Sequence, residues 1–326
     1  MAIHLSQVAE IAIQGFFVIS GLLVFGSLER SRSIRTYASK RLRRLYPAYA
    51  VVIIIPALVS LAIVGVGEWA GVARYLGANL LFANFLAPTL PGLFEDNRFI
   101  EVNGALWTLK IEVMFYIGLP VIALVMRWFG KAWWVFLAMT YVAAEAWRLL
   151  VPVHLDHSLA PEIARQLPGQ MAFFASGMAL WKLGDFAKSR SMFLLLGGLV
   201  LTAASFAHPM LEPLRAAGVA GVVAGFSYVP GPALPAARFG DISYGVYITH
   251  FPILQALMMA GVFAAIPFGG GFALAALLVV IASFALWHLV ERPALRRDSH
   301  YRLAEAGKPR QTTEKTGHQG GPDGHL

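Results

Sequence analysis

From about residue 8 to residue 289 the chain is a succession of apolar runs, each close to the length of a membrane span, with short polar stretches between them. Nine helices are predicted: 8–27, 47–66, 105–126, 132–150, 168–182, 192–208, 214–229, 241–263 and 270–289. A hydrocarbon core about 30 Å thick takes about 20 apolar residues at a rise of 1.5 Å each. Inside it the backbone must satisfy its own hydrogen bonds. The expected fold class is therefore an all-α polytopic integral membrane protein, a bundle of about nine transmembrane helices. Composition agrees, with 58% hydrophobic and 13% charged residues and a mean hydropathy of +0.64, where soluble domains carry about 25% charge. The absence of cysteine excludes a thiol nucleophile, a disulfide framework and a cysteine-ligated metal. Segment 71–90 is apolar but interrupted by Arg74, two asparagines and Pro88, and is expected to be interfacial or re-entrant.

The net charge of +8 is placed as topology information. Loops 29–46, 127–131, 182–190, 230–240 and 290–326 hold 20 of the 26 Lys and Arg residues, which assigns them to the cytoplasmic side. No nucleic-acid partner is expected. The same rule puts the N-terminus outside with no Lys or Arg before Arg30, and the n-region of a signal peptide is missing. One outward span preceding Met1 would explain this, making ten helices. Residues 1–302 are expected to form the membrane domain and the polar, aperiodic 303–326 a disordered cytoplasmic tail.

The segment "NGALWTLKIEVMFYIGLPVIALVM", 103–126, keeps two charges inside a span. A charge at the bilayer centre costs about 2.5–3.5 kcal/mol on insertion scales. Lys110 and Glu112 are two apart and nearly opposite on a helix, so they do not simply neutralise one another. Lys110 is expected near the outer edge, where it can snorkel. Glu112 has two readings: a carboxylate paired with an arginine to lock the bundle, or one that orients a reacting group in a water-accessible cavity. Trp107 and Tyr116 read as interfacial belt residues.

In "ERSRSIRTYASKRLRRLYP", 29–47, seven cations accompany one anion. This suits a positive anchor on anionic lipid. It equally suits a phosphate-bearing ligand, because with a helix start near Ser39, Lys40 and Arg44 share a face that Arg41 adjoins. Gly15, Ser20 and Gly21 in "GFFVISG" allow close helix approach. In "GDISYGVYITHFPIL", Asp241 is an expected helix N-cap, and His250 follows about nine residues in. It is either an interhelical hydrogen bonder or a proton carrier. "FALWHLVERPALRR" closes the last span with Glu291-Arg292-Pro293, and His288 is expected to be structural. His154, His157 and His4 have no sequence partners that would make a metal site, and no metal is expected.

Taken in order, these pieces resemble the membrane-bound acyltransferase family 3, whose members O-acylate bacterial surface glycans. The resemblance rests on Phe16 to Val24, on the basic run Lys40 to Pro47, on "LWTLKIEVMFY" at 106–116, on "SYGVYITHFP" at 243–252 and on Glu291-Arg292-Pro293. It spans residues 15–297.

The resemblance implies a ten-helix enzyme of the bacterial inner membrane, its C-terminus cytoplasmic. It would move an acyl group, commonly acetyl, from coenzyme A to a carbohydrate hydroxyl on an exopolysaccharide, lipopolysaccharide or lipid-linked sugar. Acetyl-CoA or another acyl-CoA such as a succinyl donor would be the second substrate. On that basis Lys40, Arg41 and Arg44 are the candidates for the donor phosphates, and Glu112 and His250 the candidate catalytic groups. Glu112 would orient the base and His250 would line the cavity. In the family an arginine precedes a histidine by eleven positions in the first helix, and that histidine is thought to be the base. His4 does not match this motif and is expected in the connector before the "GFFVISG" helix. Either that first helix lies upstream or the chain is a catalytically inactive membrane partner. The rival function is a proton-coupled transporter or flippase, with Glu112 and His250 as the relay.

Overall fold

The computed structural model describes residues 2–229 and 241–295, with side chains from residue 9. The expected tail at 303–326 lies outside these residues. The described chain is helical: α1 (Ala2–Glu29), α2 (Ile34–Val64), α3 (Trp69–Leu80), α4 (Leu106–Trp128), α5 (Trp133–His154), α6 (Ala160–Ala164), α7 (Leu167–Ser189), α8 (Ser191–Ala207), α9 (Arg215–Tyr228), α10 (Ser243–Met259), α11 (Val262–Ala265), α12 (Phe268–Leu286), a π-helical turn Trp287–Glu291 and α13 (Arg292–Ala294).

Each of the nine predicted segments is helical. Five stretches among the described residues are long and apolar enough to cross a membrane: Ala9–Glu29, Ile34–Val64, Leu106–Trp128, Gly130–His154 and Phe268–Ala294. The stretch ending in α7 and the following α8 make a sixth if counted as one span, bent by 119°. The 14 residues of α9 and 17 of α10 rise only about 21 and 26 Å, short of a full crossing. Large apolar side chains such as Ile55, Leu58, Ile117, Val121 and Phe193 face outward, as a lipid-facing surface requires and a water-facing one rarely tolerates.

Several boundaries move. Ser33 caps α2, its Oγ accepting from Thr36 N at 3.1 Å, so this helix starts well before Ser39 and runs through Pro47 without a break. The basic run is therefore the first turns of the span itself. The helix α10 starts at Ser243, and Asp241 stands two residues before it, taking Ser243 Oγ at 2.5 Å. Residue 4 lies within α1 and not in a connector. At the end of the 168–182 segment Gly184 adopts φ 45°, a left-handed conformation that only glycine takes cheaply, and the chain turns there. Segment 71–90 forms the short α3, which buries Val72, Tyr75 and Asn79 on one face, followed by irregular chain.

Two apolar cores meet along α4. One gathers Phe17, Phe25, Phe173, Phe174 and Met178 with Ile111, Phe115 and Leu119 of α4, where Phe115 stacks on Phe174 at 3.9 Å. The other gathers Tyr49, Ile53, Tyr75, Leu90 and Ile248 with Leu106 and Leu109. Glycines let α1 and α7 touch backbone to backbone: a Cβ on Gly21 would sit 2.3 Å from Phe174 O, and one on Gly177 2.1 Å from Val18 O. The seam between the cores is where the charged residues lie.

Candidate active site

Glu112 occupies that seam, 6% exposed. Ser20 Oγ of α1 donates to its Oε1 at 3.4 Å, and the Tyr116 hydroxyl, one turn along α4, donates to the same oxygen. Oε2 has no hydrogen bond among the described residues. The carboxylate therefore points into the bundle and not into lipid, and no arginine pairs with it directly. Arg41 and Arg44 are the cations whose fields reach it.

Arg41 lies toward the basic end of the same seam. Its guanidinium carbon is 5.9 Å from the Tyr116 ring centroid, and Nη2 donates to Ser27 Oγ of α1 at 3.2 Å. Its Nε is buried without a partner among the described residues. A buried guanidinium donor left unmade costs about 1–3 kcal/mol, which a bound anion or water would recover. Tyr37 closes this level by donating to Tyr116 O at 3.2 Å. Lys40 donates to Ser31 Oγ at 3.3 Å, in the connection between α1 and α2.

Arg44 has a different neighbourhood from the one its helical register implied. It bonds Asp241 Oδ2 at 2.7 Å and the carboxylate of Glu291, which is fully buried. Its guanidinium also lies over Tyr244 at 5.4 Å and Trp287 at 5.8 Å. The arginine–carboxylate lock first considered for Glu112 is thus made by Arg44 and Glu291, tying α2 to the π-helical turn and to the chain entering α10.

His250 stands on α10. Its Nδ1 is 2.7 Å from Tyr247 O. A carbonyl only accepts, so Nδ1 carries the hydrogen and Nε2 of the neutral ring keeps its lone pair. Tyr247 binds Thr108 Oγ1 of α4, donates to Ala105 O at 2.7 Å and stacks on Phe16 of α1 at 6.0 Å. Lys110 lies on another face of α4, its ammonium 4.8 Å from the Phe85 ring. The structure therefore brings Arg41 and Glu112 together through Tyr116, places His250 beside Tyr247 on α10, and sets Arg44 and Lys110 apart.

Sequence reasoning missed Ser20, Tyr37, Thr108 and Tyr247 as polar partners. The i, i+4 spacing of Glu112 and Tyr116 was the one available signal for Tyr116, which is no belt residue. It also missed a second charged network at the far end. There Arg215 meets Glu10 at 3.1 Å and Glu212 at 3.8 Å, and Arg148 meets Glu145 at 2.6 Å and Glu212 at 3.1 Å, joining α1, α5, the turn before α9 and α9 itself.

Apolar spans pack here around an internal seam that holds a carboxylate, a tyrosine and a guanidinium, in the manner of a polytopic membrane protein. The chain belongs to the acyltransferase family 3: the sequence profile of that acyltransferase domain matches residues 2–289. It is similar to nodulation protein 10 of Rhizobium leguminosarum bv. viciae, 26% identical over 86% of this chain and 81% of that protein. It is also similar to the O-acetyl transferase of Shigella phage Sf6, 26% identical over 89% and 86%, and to acyltransferase MdmB of Streptomyces mycarofaciens, 25% identical over 90% and 83%. No solved structure gives a significant match. The protein is a multi-pass membrane acyltransferase.

Proposed function

We propose that the chain moves an acetyl group from acetyl-coenzyme A to a hydroxyl of a cell-surface or lipid-linked carbohydrate. It would work in the bacterial inner membrane, with its basic end and C-terminus toward the cytoplasm. The observation that carries this reading is that a buried carboxylate and a guanidinium with an unmet buried donor, the latter next to Lys40 on α2, both meet Tyr116. A phosphate-bearing donor entering from the basic end meets Lys40 and Arg41 first. Guanidinium groups hold phosphate oxygens with charge-assisted bonds. Arg44, occupied by Asp241 and Glu291, acts in this reading through the electric field it adds and through the position it gives α10.

The chemistry is a direct transfer. The acceptor hydroxyl oxygen attacks the thioester carbonyl carbon, the new C–O bond forms, the C–S bond breaks, and coenzyme A leaves as thiolate. The hydroxyl proton goes to a base, and the thiolate takes up a proton on leaving. Glu112 orients the proton-accepting group and balances the Arg41 charge. His250 stands on α10, where Nε2 is available to an acceptor hydroxyl. The name of the phage relative, an O-acetyl transferase, supports acetyl as the group moved.

The test is acetyl-coenzyme A binding to the purified protein by calorimetry, with Lys40→Ala and Arg41→Ala. Each loss is expected to weaken binding roughly tenfold or more, as a charge-assisted bond of about 1.5–3 kcal/mol implies. No measurable acetyl-coenzyme A binding by the unaltered protein would refute the reading.

A further inference from the structure

At the end of the bundle opposite the basic loops, a cleft of about 560 Å³ opens between α3 and the connection that leads to α4. It differs in kind from the larger groove of about 780 Å³ between α2, α10 and α12, whose lining is apolar apart from Thr249. The cleft is bordered by Arg74, Glu95, Thr89 and the Pro88–Pro91 stretch. Arg74 makes one hydrogen bond among the described residues, to Leu86 O at 3.4 Å, and Glu95 takes Gly92 N at 2.8 Å through Oε1. Neither forms an ion pair among the described residues, so a cation with spare donors and an anion with a spare oxygen border the same space.

Besides the single bond that Arg74 and Glu95 each make to the wall, further bonds hold it in place. Asn79 Nδ2 donates to Ala87 O at 2.8 Å, Ser60 Oγ to Pro91 O at 2.6 Å and Val102 N to Pro88 O at 2.9 Å. Asn97 and Gln255 tie the same connection to α10, the helix of His250. A site already shaped this way spends little conformational entropy on binding, and its volume falls within the range of small-molecule sites, about 300–1,000 Å³. A mixed set of unspent donors and acceptors, with opposite charges held apart, matches a neutral ligand rich in hydroxyl groups. An anion would meet Glu95, and a cation would meet Arg74.

We propose that this cleft holds a neutral, polyhydroxylated part of the acceptor, a sugar ring beside the one that is acylated. The inference rests on the acyl-transfer reading above and assigns that reading its acceptor-holding site.

The test uses cells deleted for the gene and complemented with the full chain or with Arg74→Ala, Glu95→Gln or Gly71→Trp. A Cβ at Gly71 would lie 3.0 Å from Pro91 Cγ, so an indole there fills the cleft. Base-labile acetate on the isolated surface glycan is measured alongside acetyl-coenzyme A affinity of each purified variant. The expected result is at least a tenfold fall in glycan ester with donor affinity within twofold. Unchanged ester in all three variants overturns the inference, as does a fall matched by equal loss of donor affinity, which marks a damaged fold. If the unaltered chain adds no ester over the deletion, the acyl-transfer reading fails and the inference falls with it.

Discussion

The Tyr116 hydroxyl donates to the Glu112 carboxylate one helical turn before it, while its ring lies beneath the Arg41 guanidinium. One side chain therefore couples a buried anion to a cation at the basic end of the bundle. Replacing Tyr116 by Phe keeps the ring and removes the bond. Hydrogen bonds to charged groups are worth about 1.5–3 kcal/mol, so turnover is expected to fall roughly 10- to 100-fold with donor affinity nearly intact. Steady-state kinetics that separate kcat from the donor KM check this.

Arg44 and Glu291 stand 247 residues apart in sequence and meet where Glu291 has no exposure. Removing one partner leaves a buried charge alone, at a cost of about 3–5 kcal/mol. Arg44→Ala is expected to lower the thermal midpoint in detergent sharply. Arg44→Met combined with Glu291→Leu is expected to recover a large part of the loss, because the buried charge is gone on both sides. Equal damage in the single and double variants would mean that the pair does more than lock the helices.

The direct contact of α1 with α7 makes a second stability prediction. Gly177→Leu pushes a side chain into the Val18 carbonyl, and neither backbone can yield. The variant is expected to lose about 3 kcal/mol, the upper end of what overpacking of tight interiors costs, and to show early aggregation in size-exclusion chromatography. Gly15→Ala, where the nearest atom to a new Cβ is 3.9 Å away, is expected to behave like the unaltered protein.

His250→Gln tests the histidine of α10. Glutamine offers hydrogen bonds but no basic nitrogen. If Nε2 takes part in proton transfer, kcat is expected to fall about 100-fold at unchanged thermal midpoint and donor affinity. A variant with full turnover would leave His250 as a hydrogen-bonding strut on Tyr247.

Much of the bundle was legible because apolar runs of span length admit few structures. All nine predicted segments are helical, and the helix of segment 71–90, 12 residues long, is not among those long enough to cross. The start of α2 was misplaced because hydropathy marks where a helix enters lipid and says nothing about where it begins; the Ser33 cap decides that. Glu112 was legible as an out-of-place charge, but its neighbours were not. Ser20 comes from another helix, and Tyr116 looks like a belt residue until the turn it shares with Glu112 is seen. Arg44 and Glu291 were both noticed, yet nothing at that separation announces a pair. The Glu10–Arg215 contact, across 205 residues, was invisible for the same reason.

The most direct measurement is the turnover of Glu112→Gln against its acetyl-coenzyme A affinity, made on the same purified protein. Gln keeps the shape and the bonds to Ser20 and Tyr116 but carries no charge. The account predicts a loss of turnover of roughly 100-fold or more with donor affinity within about threefold, as for a group acting mainly in the transition state. Full turnover in Glu112→Gln would contradict it.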